Sequence, residues 1–372
     1  MTLKNGFVSL LVPSLGGGGA ERAMLHLAQG LAERGIKVDL VLVNAVGPYL
    51  AKVPPEVRVV DLKSKSPVIL SKLLALRRYL RQERPMVLLS TLDNVNAAAW
   101  AQRLAGVSTR VVICVQNNLS LDLQNEPGVM GKLKPYLARW FYPWADAIVA
   151  VSQGVAEDLM CLAGLPLEDI KVIYNPVVTP DLFEKAKESI DHPWFAPGEP
   201  PVLLGIGRLV NQKDFPTLIR AFALVRQHCP ARLMILGEGE KRPQIEGLVR
   251  ELGLEGEVTL PGFAANPFSY MARAAVFVLS SAWEGLPTVL IEAMATGTSV
   301  VSTDCPSGSS EILQGGKYGR LVPVGDVKAL AEAILFTLSQ PTDPEVLQQR
   351  SKAFSLERAV EQYLKVLKID VK

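Results

Sequence analysis

Residues 276–303, VFVLSSAWEGLPTVLIEAMATGTSVVST, decide the fold class of this chain. The apolar run Val276–Ser280 has the length and composition of a buried strand, and Ser299–Thr303 repeats that pattern. Between them we predict a helix over Pro287–Thr296, because proline is tolerated in the first helical turn. A strand, a helix and a second strand in this order predict a right-handed βαβ unit with parallel strands.

The same alternation of strand and helix signals runs through the whole chain. In the first half we predict strands at Phe7–Val12, Lys37–Val43, Val57–Asp61, Met86–Ser90, Arg110–Val115, Ala147–Ser152 and Lys171–Tyr174, and helices at Ala20–Arg34, Ser71–Gln82, Asn94–Leu104 and from Ser152 through Leu162. In the second half we predict further strands at Val202–Gly207, Arg232–Leu236 and Val258–Pro261, and further helices at Phe215–Gln227, Arg242–Leu252, Asn266–Arg273 and Val327–Leu338.

Residues 191–201, DHPWFAPGEPP, interrupt this alternation. Their four prolines and one glycine oppose regular structure, so we predict a linker there. The length of 372 residues also suggests two domains. We therefore predict an α/β protein with two Rossmann-like, doubly wound parallel-sheet domains, 1–190 and 202–354, that face each other across a cleft. In such sheets ligands bind beyond the carboxyl ends of the strands.

Composition is typical of a folded globular protein and does not indicate a nucleic-acid partner. Hydrophobic residues make up 49% and charged residues 20%, and the net charge is +2. The charge is uneven, because residues 1–180 carry an excess of about five positive charges. This excess fits either an anionic partner surface or a solvated basic face.

The cysteines and the N-terminal segment indicate a reduced, cytoplasmic protein. Cys114, Cys161, Cys229 and Cys305 form no CxxC pair and no Cys/His cluster, so we expect reduced core residues. The apolar run Gly6–Val12 is too short to span a membrane and has no small-residue cleavage site. No other stretch reaches ~18 uninterrupted apolar residues.

The loop after Val276–Ser280 is the strongest candidate site. The free N–H groups of the following helical turn and the helix dipole attract anions. Glu284 precedes that turn and Glu292 lies within the helix, so two acids beside an anion site need separate roles, such as binding sugar or ribose hydroxyls. In the structural alternative, Glu292 is a solvated helix residue and Glu284 a helix-start acid.

Residues 280–313, SSAWEGLPTVLIEAMATGTSVVSTDCPSGSSEIL, resemble the Glu-x7-Glu signature of glycosyltransferase family 4, and the resemblance extends from residues 14–35, SLGGGGAERAMLHLAQGLAERG, to the last helix. It implies the GT-B fold, a retaining transferase with a nucleotide-sugar donor, and a C-terminal helix, 355–372, that packs back on the first domain. It also implies that Glu284 contacts the donor sugar and that Glu292 binds the ribose. The donor site that the resemblance implies here includes Gly285, Leu286, Pro287 and Thr288.

Residues 205–214, GIGRLVNQKD, resemble the segment of that family whose arginine and lysine hold the donor diphosphate. The resemblance assigns this role to Arg208 and Lys213, with Gly207 beside them. A guanidinium fork and an ammonium group suit an anionic leaving group. The family usually has glycine after the lysine, whereas Asp214 stands here and would lower the local positive potential. The alternative is a pair of exposed surface cations.

Gly16–Gly19 follow the first strand and precede a helix. Glycines let backbone N–H groups approach a phosphate, and the resemblance places Gly17, Gly18 and Gly19 at the donor diphosphate and the acceptor. Dinucleotide binding is disfavoured, because Glu21 occupies the position of the third glycine in GxGxxG and Asn44 that of the ribose-binding acid. The alternative is a flexible turn.

Two further segments enter the site through the resemblance. Pro261-Gly262-Phe263 resembles the base-binding turn, with Gly262 supplying backbone groups and Phe263 packing beside the nucleobase. Gln116-Asn117-Asn118 stands where many members have a histidine or arginine that contacts the donor sugar. We assign that contact to Asn117.

The sequence indicates neither a metal nor a cofactor. It has no Asp-x-Asp pair, which transferases that hold the diphosphate through a divalent metal generally need. Its histidines, His26, His192 and His228, have no partners at metal or triad spacing. The resemblance implies front-face attack, in which the acceptor hydroxyl arrives on the side from which the diphosphate leaves and the diphosphate takes its proton.

Cations alternate with apolar residues in two stretches of the first half. The first contains Lys63, Lys65, Lys72, Arg77, Arg78, Arg81 and Arg84, and the second runs from Lys132 through Lys134, Tyr136, Arg139 and Trp140 to Trp144. Both fit contact with an anionic membrane surface, on the inner face of the cytoplasmic membrane. In the alternative, their leucines and aromatic residues belong to the core.

Residues 303–308, TDCPSG, resemble family members that use UDP-sugars on lipid-linked or cell-surface glycans, although Ser309 replaces the usual proline. We expect transfer of a hexose or N-acetylhexosamine to a glycan or polyprenyl-linked acceptor. The alternatives are a sugar-nucleotide epimerase of the same fold and a catalytically silent sugar-nucleotide-binding subunit. The lack of a convincing acid–base histidine disfavours the first, and the joint presence of Glu284, Arg208 and Lys213 disfavours the second.

Overall fold

A computed structural model of the chain describes residues 6–64, 69–91, 95–125 and 138–370. The chain forms two compact units. Unit 1 comprises Met1–Val177 and Phe354–Lys372, and unit 2 comprises Val178–Ala353. No helix in the described ranges is both long and apolar enough to cross a membrane.

Unit 1 is built on a seven-stranded parallel sheet with the order β3-β2-β1-β4-β5-β6-β7. Its strands are β1 (Val8–Val12), β2 (Val38–Leu42), β3 (Val57–Asp61), β4 (Val87–Thr91), β5 (Arg110–Val115), β6 (Ala147–Ala150) and β7 (Ile170–Val172). The helices between them are α1 (Gly19–Ala32), α2 (Ile69–Glu83), α3 (Val95–Ala105), α4 (Leu119–Asn125) and α5 (Gln153–Ala163).

Unit 2 is built on a six-stranded parallel sheet with the order β10-β9-β8-β11-β12-β13. Its strands are β8 (Val202–Ile206), β9 (Arg232–Leu236), β10 (Val258–Gly262), β11 (Val276–Leu279), β12 (Val300–Thr303) and β13 (Arg320–Val322). Its helices are α6 (Pro180–Lys187), α7 (Phe215–Arg226), α8 (Arg242–Glu251), α9 (Pro267–Met271), α10 (Thr288–Ala295), α11 (Ser309–Leu313), α12 (Val327–Ser339) and α13 (Pro344–Ser351).

Both sheets confirm the predicted doubly wound Rossmann-like architecture. The predicted strands are all present, with ends that differ by at most two residues. The βαβ unit predicted for residues 276–303 corresponds to β11, α10 and β12, and β11 and β12 pair in parallel. The predicted helix Asn94–Leu104 corresponds to α3, and Asn94 itself lies outside the described residues. Short elements such as β13 and α11 were not predicted, because they span too few residues to show a periodicity.

The predicted boundaries between the two halves need correction. The chain passes into unit 2 at Val178, before the predicted linker 191–201. Helix α6 belongs to unit 2 because it packs on α9, where the side chain of Asn266 donates hydrogen bonds to the Lys185 carbonyl (2.9 Å) and the Glu188 carboxylate (2.8 Å). The proline-rich stretch is also part of unit 2.

That stretch is attached to β9 through a single arginine. The guanidinium of Arg232 forms an ion pair with Glu199 (2.6 Å) and lies 5.1 Å from the centre of the Trp194 ring. The stretch contains one short 3-10 helix, Pro193–Phe195, and it belongs to unit 2 rather than connecting the two domains.

The C-terminal helix, α14 (Leu356–Leu367), returns to unit 1. It lies against α1 at Gly30, where an added Cβ would come within 2.7 Å of Val360 and 2.9 Å of Leu356. Further along the helix, the hydroxyl of the fully buried Tyr363 lies 3.2 Å from the Cys114 sulfur at the end of the sheet's central strands. The last helix thus completes the core of the first unit.

The cysteines are only partly the core residues that the sequence predicted. All four are free thiols, and Cys114 and Cys305 are buried. The prediction is wrong for Cys161, which is exposed on α5, and Cys229 is half-buried. Burial raises the pKa of the Cys114 thiol to about 11.

The contact at Gly30 gives a stability test of the returning helix. Gly30→Ala should lower the free energy of unfolding, because overpacking costs about 1–3 kcal/mol and outweighs the helix-propensity gain of about 1 kcal/mol. Gly247→Ala is the matched control, since it lies in α8 and an added Cβ there meets nothing within 4 Å. Urea unfolding should show opposite signs for the two variants. Equal stabilisation by both would contradict the packing of α14 on α1.

Candidate active site

The candidate site in unit 2 lies where the strand order reverses. Strand β8 pairs with β9 on one side and with β11 on the other. The connections after β8 and β11 therefore leave the sheet in opposite directions, and a crevice opens between them at the carboxyl ends of the strands. The two most strongly predicted segments, 205–214 and 280–288, follow these two strands.

Hydrogen bonds to backbone carbonyls hold these two loops together. The Ser280 hydroxyl donates to the Lys213 carbonyl (2.8 Å). The Ala282 N–H donates to the Gln212 carbonyl (2.8 Å), and the Gln212 side chain donates in return to the Trp283 carbonyl (2.9 Å). Residues about 70 positions apart in the sequence are thus held in a fixed relation at the switch point, the place between β8 and β11 where the strand order reverses.

The same two loops bring Lys213 and Glu284 into contact. The Lys213 Nζ lies 2.5 Å from Glu284 Oε1, and the Ser281 hydroxyl donates to the same oxygen at 2.6 Å. The two charged side chains are only 15% and 8% exposed. Because desolvation of two charges offsets most of their attraction, such a pair adds little net stability. Its main effect here is to fix the positions of both groups.

Gly207 supports Lys213 by leaving room for its aliphatic stem. An added Cβ at Gly207 would lie 3.1 Å from two carbons of the Lys213 side chain. A larger residue would therefore require the stem of Lys213 to shift by a few tenths of an ångström. The role that the structure gives to Gly207 is therefore to position Lys213.

Asp214 caps the helix that follows the loop of Arg208 and Lys213. Its backbone is left-handed, with φ of 42°, and its side chain caps α7 by accepting from the backbone N–H (3.4 Å) and hydroxyl (2.7 Å) of Thr217. The left-handed conformation explains why glycine is usual at this position in the resembled family. The carboxylate is thus held at the N-terminus of α7, and its lowering of the local positive potential stays a prediction.

Arg208 is exposed, between the half-buried Gly207 and the buried Leu209. Its backbone neighbours are held by the loop after β9, since the Leu209 N–H donates to the Glu238 carbonyl (2.9 Å). The guanidinium therefore projects from a fixed segment of backbone at the carboxyl end of β8.

Sequence reasoning missed two glycines in that neighbouring loop. Gly237 has φ of 143°, and a Cβ there would lie 1.9 Å from the Gly207 carbonyl oxygen. A Cβ on Gly239 would lie 2.4 Å from the Leu209 carbonyl oxygen. The signal in the sequence was the Gly-Glu-Gly pattern directly after β9. These glycines allow the β9 loop to lie against the loop that carries Arg208.

The predicted base-binding turn lies on the other side of this loop. The carbonyl of Gly262 accepts a hydrogen bond from the Gly237 N–H (2.8 Å), and Gly262 has φ of 93°. The next residue, Phe263, is 58% exposed. Such exposure leaves the ring available to a ligand, and its packing beside the nucleobase stays a prediction.

The start of α10 is fixed by the loop after β12. The helix begins at Thr288, with Pro287 as its N-terminal cap residue. A Cβ on Gly308 would lie 2.6 Å from the Pro287 ring and 3.0 Å from the Gly285 carbonyl, so the two loops lie in close contact. The Glu284 N–H also donates to the Pro306 carbonyl (3.3 Å).

Glu292 lies within α10 and is 1% exposed. The alternative in which it is a solvated helix residue is therefore wrong. Near the other acid, the Cys305 thiol has its pKa raised to about 12, first by burial and second by the Glu284 carboxylate. Leu286, between the two acids in the sequence, is also buried.

The glycine loop of unit 1 is a capped turn. The carboxylate of Glu21 accepts hydrogen bonds from the Gly18 N–H (3.0 Å) and the Ser14 hydroxyl (3.1 Å). Gly17 has φ of 105°, a conformation that favours glycine. The prediction of a phosphate contact is thus weakened at Gly18, whose N–H is used within the chain, and stays a prediction at Gly17 and Gly19.

Asn117 is exposed between two buried amides. Gln116 and Asn175 exchange side-chain hydrogen bonds of 2.8 and 3.3 Å. The Asn118 side-chain oxygen Oδ1 accepts from the Leu121 N–H (3.1 Å) at the start of α4. Of the three amides in this segment, Asn117 is the one presented to solvent, and its contact with the donor sugar stays a prediction.

No cluster of three or more His, Cys, Asp or Glu side chains able to hold a metal ion occurs in the part of the chain that the structure describes. Metal-independent transfer stays a prediction.

Comparison with known proteins assigns the family. Residues 17–180 match the model described as Glycosyltransferase Family 4, and residues 200–340 match the one described as Glycosyl transferases group 1. The chain is 30% identical, over 97% of its own length and 99% of the other's, to the Campylobacter jejuni protein called N-acetylgalactosamine-N,N'-diacetylbacillosaminyl-diphospho-undecaprenol 4-alpha-N-acetylgalactosaminyltransferase. The chain belongs to glycosyltransferase family 4.

Other relatives of this glycosyltransferase agree with that assignment. A lipopolysaccharide core biosynthesis glycosyltransferase of Rhizobium meliloti is 28% identical over 94% of this chain and 96% of its own. The structure of Anabaena HepE in complex with UDP and glucose superposes with a TM-score of 0.80 at 21% identity, over 98% of this chain and 99% of that one. The predicted GT-B fold is confirmed, and the family assignment favours a transferase over the epimerase alternative.

Proposed function

We propose that this glycosyltransferase is a retaining, metal-independent enzyme that moves a hexose or N-acetylhexosamine from a UDP-sugar to a hydroxyl of a lipid-linked or lipopolysaccharide glycan. The observation that carries the proposal is the Lys213–Glu284 contact at the switch point of unit 2. It joins a cation suited to a diphosphate with an acid suited to sugar hydroxyls. The names of the Campylobacter and Rhizobium relatives support the acceptor class, and the ligands of HepE support the donor class.

Lys213 joins the leaving group to the sugar-binding acid. An ammonium group has three hydrogen-bond donors, and Glu284 accepts one of them. The other two can reach oxygens of the diphosphate, and the exposed guanidinium of Arg208 supplies a second cation. Together they stabilise the negative charge that develops as the C1–O bond of the donor breaks.

Glu284 has acceptor capacity left for the sugar. Both hydrogen bonds to its carboxylate from described side chains, from Lys213 and Ser281, end on Oε1. A carboxylate has about four lone-pair sites, so Oε2 can accept from donor hydroxyls. Since Lys213 fixes the other oxygen, the sugar ring is oriented relative to the diphosphate.

The remaining donor contacts follow the resemblance. Glu292 binds the ribose, Gly262 and Phe263 form the site of the base, and the start of α10 from Gly285 to Thr288 contacts the donor. During transfer, the acceptor oxygen bonds to C1 on the face from which the diphosphate leaves. The hydroxyl proton passes to a diphosphate oxygen, which balances the charge of the leaving group.

The purified enzyme should transfer sugar from an α-configured UDP-sugar in excess chelator and give an α-linked product. The cations of the protein, rather than a metal, neutralise the diphosphate in this proposal. The assay incubates a panel of UDP-sugars with an undecaprenyl-diphosphate-linked saccharide in EDTA, and NMR gives the configuration of the product.

Each part of the proposal has its own contradicting result in that assay. A β-linked product would contradict retention. Activity lost in EDTA and restored by magnesium or manganese would contradict metal independence. Donor binding without turnover on any acceptor would favour the catalytically silent binding subunit.

Glu284→Gln should lower the transfer rate about 100-fold or more while donor affinity changes less. Glutamine keeps the size of the side chain but removes the charge that stabilises an oxocarbenium-like sugar, so the loss falls mainly on the transition state. The measurement compares kcat and donor Kd with those of Glu251→Gln, a change of the same type at the exposed end of α8.

Removing one partner of a buried ion pair also destabilises proteins, so the melting temperature of each variant is the control. A folded Glu284→Gln enzyme with near-normal turnover would show that this acid is structural. A loss of rate that matches a loss of folded protein would lead to the same conclusion.

A further inference from the structure

Six large apolar side chains are exposed on one part of unit 1. They lie on α2, on α3 and in the segment after Ala138, and each is between 40% and 70% exposed. We call this set the apolar patch: Leu70, Leu74, Trp100, Leu104, Trp140 and Trp144. Three of the five tryptophans of the chain belong to it. Isolated exposed apolar residues need no explanation, but a contiguous group marks an interaction site.

Direct contacts join several of the segments that carry the patch. The Trp100 ring stands edge-on to Phe141, which stands edge-on to Trp144, with ring centres 5.0 Å apart in both pairs. Helices α2 and α3 are joined near the C-terminus of α3, where the Arg77 guanidinium donates to the Leu104 carbonyl (3.0 Å). Helices α2 and α3 thus pack side by side, and ring contacts join α3 to the segment that carries Trp144.

Part of the alternative that assigned these residues to the core is correct. The inner face of α2 buries three leucines, Leu73, Leu76 and Leu80. In the segment of the tryptophans, Phe141 and Tyr142 are buried. The exposed members of each stretch lie on the other side of the same elements. Lys65, Lys132, Lys134 and Tyr136 lie outside the described residues.

Cations are concentrated on the same three segments that carry the apolar patch. Ile69–Arg84, Val95–Ala105 and Ala138–Trp144 contain seven cations and a single acid, Glu83, which is paired with Arg58 (2.7 Å). We call the seven cations the cationic rim: Lys72, Arg77, Arg78, Arg81, Arg84, Arg103 and Arg139. One of them, Arg103, lies 4.3 Å from the centre of the Trp144 ring. The charge of this surface calls for an anionic partner.

We propose that the apolar patch and cationic rim bind the surface of an anionic lipid bilayer. Tryptophan rings with exposed edges suit the headgroup level of a bilayer, leucines suit the acyl boundary, and arginines suit acidic headgroups. A second copy of the chain is a poor occupant, because it would place seven cations against seven. The inference rests on this surface alone and not on the proposed donor or acceptor.

The test is flotation of the full-length protein with lipid vesicles, in the absence of donor and acceptor. Vesicles of phosphatidylethanolamine and phosphatidylglycerol should carry the protein to the top of the gradient, and vesicles of phosphatidylcholine should carry much less. Binding should weaken as salt rises, because screening reduces the attraction between the cations and the headgroups. Equal binding to both vesicle types, or none to either, would overturn the proposal.

Two variants separate the contributions of charge and apolar contact. Arg78→Gln with Arg81→Gln should weaken binding to anionic vesicles about 25-fold, at about fivefold per cation. Leu74→Ser with Leu104→Ser should weaken binding at every salt concentration. The matched controls in unit 2 are Arg250→Gln with Lys328→Gln, and Val324→Ser with Val346→Ser, all at exposed positions.

Two outcomes would identify another role for this surface. Patch variants that bind vesicles as well as their controls would show that the lipid contact lies elsewhere. A dimer in sedimentation velocity that Leu74→Ser with Leu104→Ser dissociates would make the surface an interface between copies of the chain. Melting temperatures near that of the parent protein show that the variants are folded.

Discussion

The ion pair between Lys213 and Glu284 is the interaction on which the proposed chemistry depends. Its partners come from loops that follow β8 and β11, and these strands are neighbours only because the strand order reverses there. The parallel sheet thus brings together two residues that are distant in the sequence. The crevice is little exposed to solvent. The carboxylate therefore fixes the position of the ammonium group, and the remaining N–H donors keep a defined direction.

Backbone conformation around this pair sets strict requirements on residue size. Gly207 leaves space for the lysine stem, and Gly237 leaves space for the Gly207 carbonyl. Asp214 adopts a left-handed conformation that most residues avoid, and it recovers stability by capping α7. The site therefore depends on glycines, which leave room for neighbouring groups, as much as on charged side chains. This is typical of loops that approach a phosphate.

The sequence was sufficient for the fold because long apolar runs and helical periodicity are local signals. It also identified the loops of Arg208 and Glu284, since each directly follows a predicted strand. It failed at the domain boundary, because prolines show that a stretch such as 191–201 is irregular but not which unit it packs on. It missed Gly237 and Gly239, because their role depends on contacts between loops. It also missed the capping of Gly18 by Glu21, although that contact spans only three residues. The Lys213–Glu284 ion pair could not be predicted without knowing the order of the strands in the sheet.

A double-mutant cycle tests most directly whether Lys213 couples the diphosphate to the sugar-binding acid. It compares kcat/KM for the donor in the parent enzyme, in Lys213→Met, in Glu284→Gln and in the double variant. If Lys213 positions Glu284, its loss already displaces the carboxylate. The double variant should then lose less transition-state stabilisation than the two single variants together, by about 1–3 kcal/mol. Additivity within about 0.5 kcal/mol would show that the two residues act independently and would contradict the account.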